Sequence, residues 1–159
     1  MIDVGDRAVD FELEGTTGGT VSLAQHRGQK VVLYFYPKDN TSGCTTEACD
    51  FRDNMARITA AGVVVLGVSK DSIASHERFR DKHDLPFPLL SDPDNTVALA
   101  YGAHGEKTLY GKKSTGTIRS TFLIDEQGRI AAVWRKVKVQ GHVDQVLAAL
   151  GSHRRSDRL

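Results

Sequence analysis

Cys44 and Cys49 are the only two thiols in the chain, five residues apart. A thiolate is a nucleophile and a metal ligand, and two neighbouring thiols can also pass electrons by closing and opening a disulfide. The segment that holds them reads Pro37-Lys38-Asp39-Asn40-Thr41-Ser42-Gly43-Cys44-Thr45-Thr46-Glu47-Ala48-Cys49. It follows a wholly apolar stretch at residues 31–36 and leads into a helical pattern over residues 44–61 that Gly62 stops. Cys44 is therefore expected at a helix start. Free backbone N–H groups and the positive end of the helix dipole there favour the thiolate. Gly43 lets the backbone approach a small ligand closely, and Thr41 can aim a hydroxyl at the same spot. The competing reading is an inert buried cysteine, since Ala48, Phe51, Met55 and Ile58 share its helix face. The adjoining Pro, Thr, Gly and second Cys weigh against that reading.

The spacing has a mechanical consequence. Positions i and i+5 of a helix lie about 140° apart in azimuth and about 7.5 Å apart along the axis, a Cα separation of roughly 8.6 Å. A disulfide needs Cα atoms within about 7 Å. Cys44 and Cys49 therefore cannot bond while the helix is intact, so either oxidation must unwind its first turns or the helix must start later than residue 44. Two states are expected, helical with thiols and locally unwound with a disulfide.

Elements around this segment must hold it in place. Residues 11–13 and 21–23 read as short strands joined by a turn at 16–19, an N-terminal hairpin. Residues 31–36 and 63–68 read as strands buried on both faces. Residues 72–84 form a polar helix with Ile73, His76 and Phe79 at helical spacing, and 94–101 a short helix. Residues 118–124 and 130–139 read as a second hairpin, followed by a last helix at 143–150. This alternation argues for an α/β (α+β mixed) arrangement. The expected fold is thioredoxin-like, with a central mixed β-sheet flanked by helices and an N-terminal β-hairpin.

At 159 residues the chain suits one domain, here residues 1–150, with residues 151–159 as a short basic flexible tail. Its net charge of +1 gives no reason to expect nucleic acid or an anionic membrane as partner. No apolar run approaches the roughly 18 residues of a membrane span. Residues 1–7 carry two acids and no apolar stretch, unlike a signal peptide, so a cytoplasmic location is expected.

The run Pro37-x-x-x-Thr41-x-x-Cys44 resembles the active-site signature of the peroxiredoxins. A second cysteine five residues on in the same helix is similar to the peroxiredoxin Q, or bacterioferritin comigratory protein, group. The likeness extends to Gly5-Asp6-Arg7-Ala8-Val9-Asp10-Phe11, Leu89-Leu90-Ser91-Asp92-Pro93, Gly105-Glu106-Lys107, Tyr110-Gly111-Lys112 and Arg119-Ser120-Thr121-Phe122-Leu123-Ile124-Asp125. The resemblance implies a thiol peroxidase for hydrogen peroxide and organic hydroperoxides. Cys44 would be the peroxidatic nucleophile and Cys49 the resolving thiol. Thr41 would hydrogen-bond the peroxide, and Pro37 would shield the thiolate. Arg119 would stabilise the thiolate and the charge left on the departing oxygen. Thr41, Gly43, Cys44 and Arg119 would together bind substrate. Glu47, one turn after Cys44, works against a thiolate, and its expected part is to orient Arg119 or to act as a helix-start charge. The resemblance also implies recycling by thioredoxin or a similar dithiol, and a monomer or weak homodimer.

No metal or organic cofactor is implied. The six histidines match no common zinc spacing with the cysteines, and a surface position is expected for most of them. Lys107, Lys112 and Lys113 read as a solvated basic loop, and Tyr101 and Trp134 as packing residues. Two other functions use the same residues, a dithiol–disulfide oxidoreductase and a peroxide sensor that relays its disulfide. The first is weakened because the pair is Cys-x4-Cys rather than Cys-x-x-Cys.

Overall fold

The computed structural model describes residues 2–157. In chain order its elements are β1 (Glu12–Gly15), β2 (Thr20–Ser22), a 3-10 turn (Leu23–His26), β3 (Lys30–Phe35), α1 (Ser42–Asp53), α2 (Met55–Ala60), β4 (Val63–Ser69), α3 (Ile73–His83) and β5 (Leu89–Ser91). There follow α4 (Thr96–Ala100), β6 (His104–Leu109), β7 (Lys112–Thr117), β8 (Ser120–Ile124), β9 (Ile130–Trp134) and α5 (His142–Asp157).

Seven strands form one mixed sheet in the order β2-β1-β5-β4-β3-β8-β9. β3 is parallel to β4 and β4 to β5, while β8 runs antiparallel to both β3 and β9. The N-terminal hairpin forms as expected, with β1 paired antiparallel to β2. A strand joined to its neighbour through helices must return parallel, whereas a tight turn forces the antiparallel sense.

β3 shows why a continuous apolar run marks the sheet centre. Side chains alternate faces along a strand. Val31, Leu33 and Phe35 enter one core with Leu66, Tyr101 and Phe122. Val32, Tyr34 and Tyr36 enter the other, with Cys44, Ala48 and Phe51 of α1, Phe79 of α3 and Val146 of α5. Each such burial is worth about 1.5–3 kcal/mol for a large apolar side chain. The face of α1 that carries Cys44 is thus fixed against the sheet.

Several boundaries differ from the sequence reading. The helical stretch over 44–61 is two helices, parted at Asn54. There the side-chain amide donates to Asp50 O at 2.8 Å, a local bond that competes with the helical ladder. Residues 104–117 form the β6–β7 hairpin rather than a loop, so Lys107, Lys112 and Lys113 sit on strands. Its turn residues Tyr110 and Gly111 both have positive φ, 53° and 78°, as a two-residue hairpin turn requires. The flanking residues are polar without alternation, so no buried face signalled the strands. β9 stops at Trp134 instead of running to 139, and Lys136 turns away with φ 51°. Finally, α5 continues to Asp157, past the expected end at 150. A lone Gly151 weakens a helix by about 1 kcal/mol without stopping it. Arg158 and Leu159 of the expected tail lie outside the described residues.

Candidate active site

The chain leaves β3 at Phe35, reverses at Asn40 in the left-handed region (φ 61°), and enters α1. Thr41 is the N-cap in an extended conformation, and Thr45 N–H donates the opening helical bond to Thr41 O at 2.8 Å. The helix therefore starts two residues before the expected position. Cys44 is its third residue, still within the turn whose N–H groups lack helical partners. Thr41 makes no side-chain cap bond. Its hydroxyl donates instead to Lys38 O at 2.8 Å.

Cys44 is buried at 1% exposure, packed with its helix mates Ala48 and Phe51. Cys49 is half-buried, and both are free thiols on one unbroken helix. The separation of roughly 8.6 Å expected for i,i+5 therefore applies, too far for a disulfide.

Arg119 arrives from the short link between β7 and β8. Its Nη2 donates to Cys44 Sγ at 3.3 Å and its Nη1 to Glu47 Oε1 at 2.7 Å. A planar guanidinium can hold two groups in fixed directions at once. Glu47 is fully buried, and its Oε2 has no partner among the described residues. Burial pushes the Glu47 carboxyl up to about 7, against the opposing pull of Arg119. Burial also works against the Arg119 charge, but Glu47 and Cys44 outweigh it and hold the guanidinium above its ordinary range. Of the two roles open to Glu47 on sequence, this geometry is that of an Arg119 partner. A Cβ on Gly43 would lie 3.3 Å from Arg119 Nη2 and 3.8 Å from Val139 Cγ2. Gly43 therefore leaves room for the arginine.

A surface groove of about 590 Å³ opens beside this cluster, with Pro37 and Arg119 in its wall together with Lys107, Ile118 and Val137. The structure thus brings Cys44, Glu47, Arg119 and Gly43 together, while Pro37 shares the groove wall with Arg119 and Thr41 caps the same helix.

Sequence reasoning missed two histidines. His76 and His142 are buried, not at the surface. His142 lies 2.8 Å from Thr121 Oγ1, and burial lowers the pKa of its ring. His76 contacts Asp39, in the loop that leads to Thr41. Its helical spacing with Phe79 was the available signal.

A thiol at a helix start on a thioredoxin-like sheet, with a cation beside it to receive negative charge, is suited to reducing a small electrophile such as a peroxide. The AhpC/TSA family model matches residues 4–133, and the chain belongs to that family. It is 49% identical over 149 residues to Peroxiredoxin Bcp of Bacillus subtilis (strain 168), covering 94% of this chain and 95% of that one. A structure of Xanthomonas campestris bacterioferritin comigratory protein, studied for its alkyl peroxide reduction activity, superposes with a TM-score of 0.88 at 43% identity, over 96% of this chain and 98% of that one. A cysteine-to-serine mutant of Xylella fastidiosa PrxQ gives a TM-score of 0.91 at 39% identity, over 97% and 98%. The chain is accordingly a peroxiredoxin, a thiol peroxidase. No helix among the described residues is long and apolar enough to cross a membrane.

Proposed function

We propose that the chain reduces hydrogen peroxide and organic hydroperoxides through Cys44, and that Cys49 resolves the product. The observation that carries this reading is the Arg119 guanidinium, which bridges Cys44 and the buried Glu47. In this reading the Cys44 thiolate attacks one peroxide oxygen and the O–O bond breaks. The bonding pair leaves on the other oxygen, which takes up a proton to depart as water or an alcohol. Arg119 and the first-turn N–H groups of α1 stabilise the negative charge as it moves. Thr41 already donates its hydroxyl proton to Lys38 O, so its lone pairs serve as acceptor for the peroxide O–H. Pro37 covers the thiolate on the groove side, and Gly43 gives the guanidinium and substrate room. Glu47 fixes the guanidinium.

The product is a Cys44 sulfenic acid. α1 then unwinds at its start, Cys49 sulfur attacks the sulfenic sulfur, water leaves and the Cys44–Cys49 disulfide closes. A dithiol of the thioredoxin class reopens it by exchange. We assign the activity to a cytoplasmic monomer or weak homodimer, with no metal or organic cofactor in the cycle.

Peroxide consumption coupled to thioredoxin, its reductase and NADPH tests the scheme. Wild type turns over, Cys44→Ser is inactive, and Cys49→Ser completes a single turnover. A wild type that consumes no peroxide yet reduces a disulfide substrate would replace the scheme with a dithiol–disulfide oxidoreductase.

A further inference from the structure

We infer that Asp39 and His76 form a buried lock that positions residues 37–41 for the peroxide-cleaving step, an inference that rests on the peroxidase reading. Asp39 lies two residues before the N-cap Thr41, and its side chain is 1% exposed. Tyr36 donates its hydroxyl to Asp39 Oδ1 at 2.6 Å, and Ser75 donates to Oδ2 at 2.9 Å. His76 Nδ1 lies 2.7 Å from the same Oδ2. The Asp39 backbone N–H donates to Asp71 Oδ2 at 2.9 Å, which also accepts from Ser69 Oγ at 2.6 Å.

His76 is fully buried, and its Nε2 lies 2.9 Å from Leu90 O. A carbonyl oxygen only accepts, so Nε2 carries a proton. Nδ1 and Asp39 Oδ2 make a second hydrogen bond at 2.7 Å. Through Asp39 the loop is tied to the ends of β3 and β4, the first turn of α3, and β5. None of these belongs to the reacting helix. Asp39, Asp71 and His76 place donor atoms within 4.8 Å of one another, the spacing of a cation site. Their atoms are already engaged with one another and with Ser69, Ser75, Tyr36 and Leu90, as a lock requires.

Two considerations give the lock a part in the reaction. Buried polar groups with all their partners satisfied hold one arrangement, because any displacement leaves a group unpaired in the interior. That geometry belongs to Pro37 and Thr41, whereas Cys44 is held separately by Arg119, which Glu47 holds in turn. Reaction of peroxide demands alignment of both sets, and a misplacement near 1 Å can cost about 100-fold in rate. The lock also sets an upstream limit to unwinding, so that Cys44 can move toward Cys49 while residue 39 stays in place.

The test uses a Cys49→Ser background, so that Cys44 is the single thiol. Second-order rate constants of Cys44 with hydrogen peroxide and with iodoacetamide are measured per titratable thiol. Alkylation reports thiol reactivity without calling on the Thr41 hydroxyl. For His76→Leu the peroxide rate is expected to fall about 10- to 100-fold, with alkylation within about threefold of the background protein. His76→Asn keeps an N–H donor near the Nδ1 position, and recovers most of the peroxide rate. A peroxide rate within about twofold of the background, or parallel losses in both rates, would overturn the lock. Should His76→Leu fail to fold, Asp39→Asn and Ser75→Ala carry the same comparison. A wild type unable to consume peroxide overturns the peroxidase reading, and the lock with it. A reactive wild type with indifferent lock variants overturns the lock alone.

Discussion

Arg119 and Glu47 form an ion pair at 2.7 Å in which the carboxylate is wholly buried and the guanidinium is 16% exposed. The same guanidinium reaches Cys44 Sγ at 3.3 Å. One cation therefore couples the buried acid to the reacting thiol.

Arg119→Lys should separate charge from geometry. An ammonium is a point charge and cannot hold Glu47 and Cys44 in two fixed directions. We expect the second-order rate with peroxide to fall about 100-fold, the usual cost of removing one preorganised donor. Arg119→Met should also lose about 3 kcal/mol of stability, because Glu47 stays buried without its partner. Stopped-flow kinetics and urea unfolding separate the two effects.

Glu47 should leave a mark on the pH dependence of stability. Burial raises its carboxyl from 4.5 to about 7, so the native state holds this proton more tightly than the unfolded chain. Its stabilising contribution is complete below about pH 4.5 and is lost as the pH rises through about 7. Glu47→Gln removes the titration. The variant's Tm should therefore improve relative to wild type across that window, as measured by calorimetry at a series of pH values. A difference in Tm that stays constant with pH would show that Glu47 does not titrate there.

Gly43→Val tests the space beside the guanidinium. The added methyl groups extend from a Cβ already 3.3 Å from Arg119 Nη2. The arginine must shift away from Cys44, and we expect at least a tenfold loss of peroxide rate with helical circular dichroism unchanged.

Oxidation should cost helix. With one equivalent of peroxide, wild type is expected to lose ellipticity at 222 nm equivalent to the first one or two turns of α1, and to regain it with dithiothreitol. Cys44→Ser should show no change. Cys49→Ser should keep its helix and carry a sulfenic acid, detectable by mass spectrometry as one added oxygen atom.

Much of this protein is determined by local pattern. The apolar run at 31–36 and the one at 63–68 can only be strands covered on both faces, because no water-facing position exists in them. Gly43, Cys44 and Cys49 lie on one helix, so their relative geometry follows from helix parameters alone. The β6–β7 hairpin was hidden because polar strands facing solvent carry no apolar alternation. The break at Asn54 was hidden because it depends on a side chain choosing a backbone acceptor.

Only the tertiary structure decided what meets across the sheet. Arg119 is 75 residues from Cys44 along the chain, and β8 alone, paired antiparallel to β3, brings it to the start of α1. Asp39 and His76 are likewise 37 residues apart, joined because β3, β4 and β5 lie side by side and α3 packs over them. A sequence pattern records which residues can do chemistry and which face they share. The distance between groups on separate elements is set by strand order and register, which the whole core determines together.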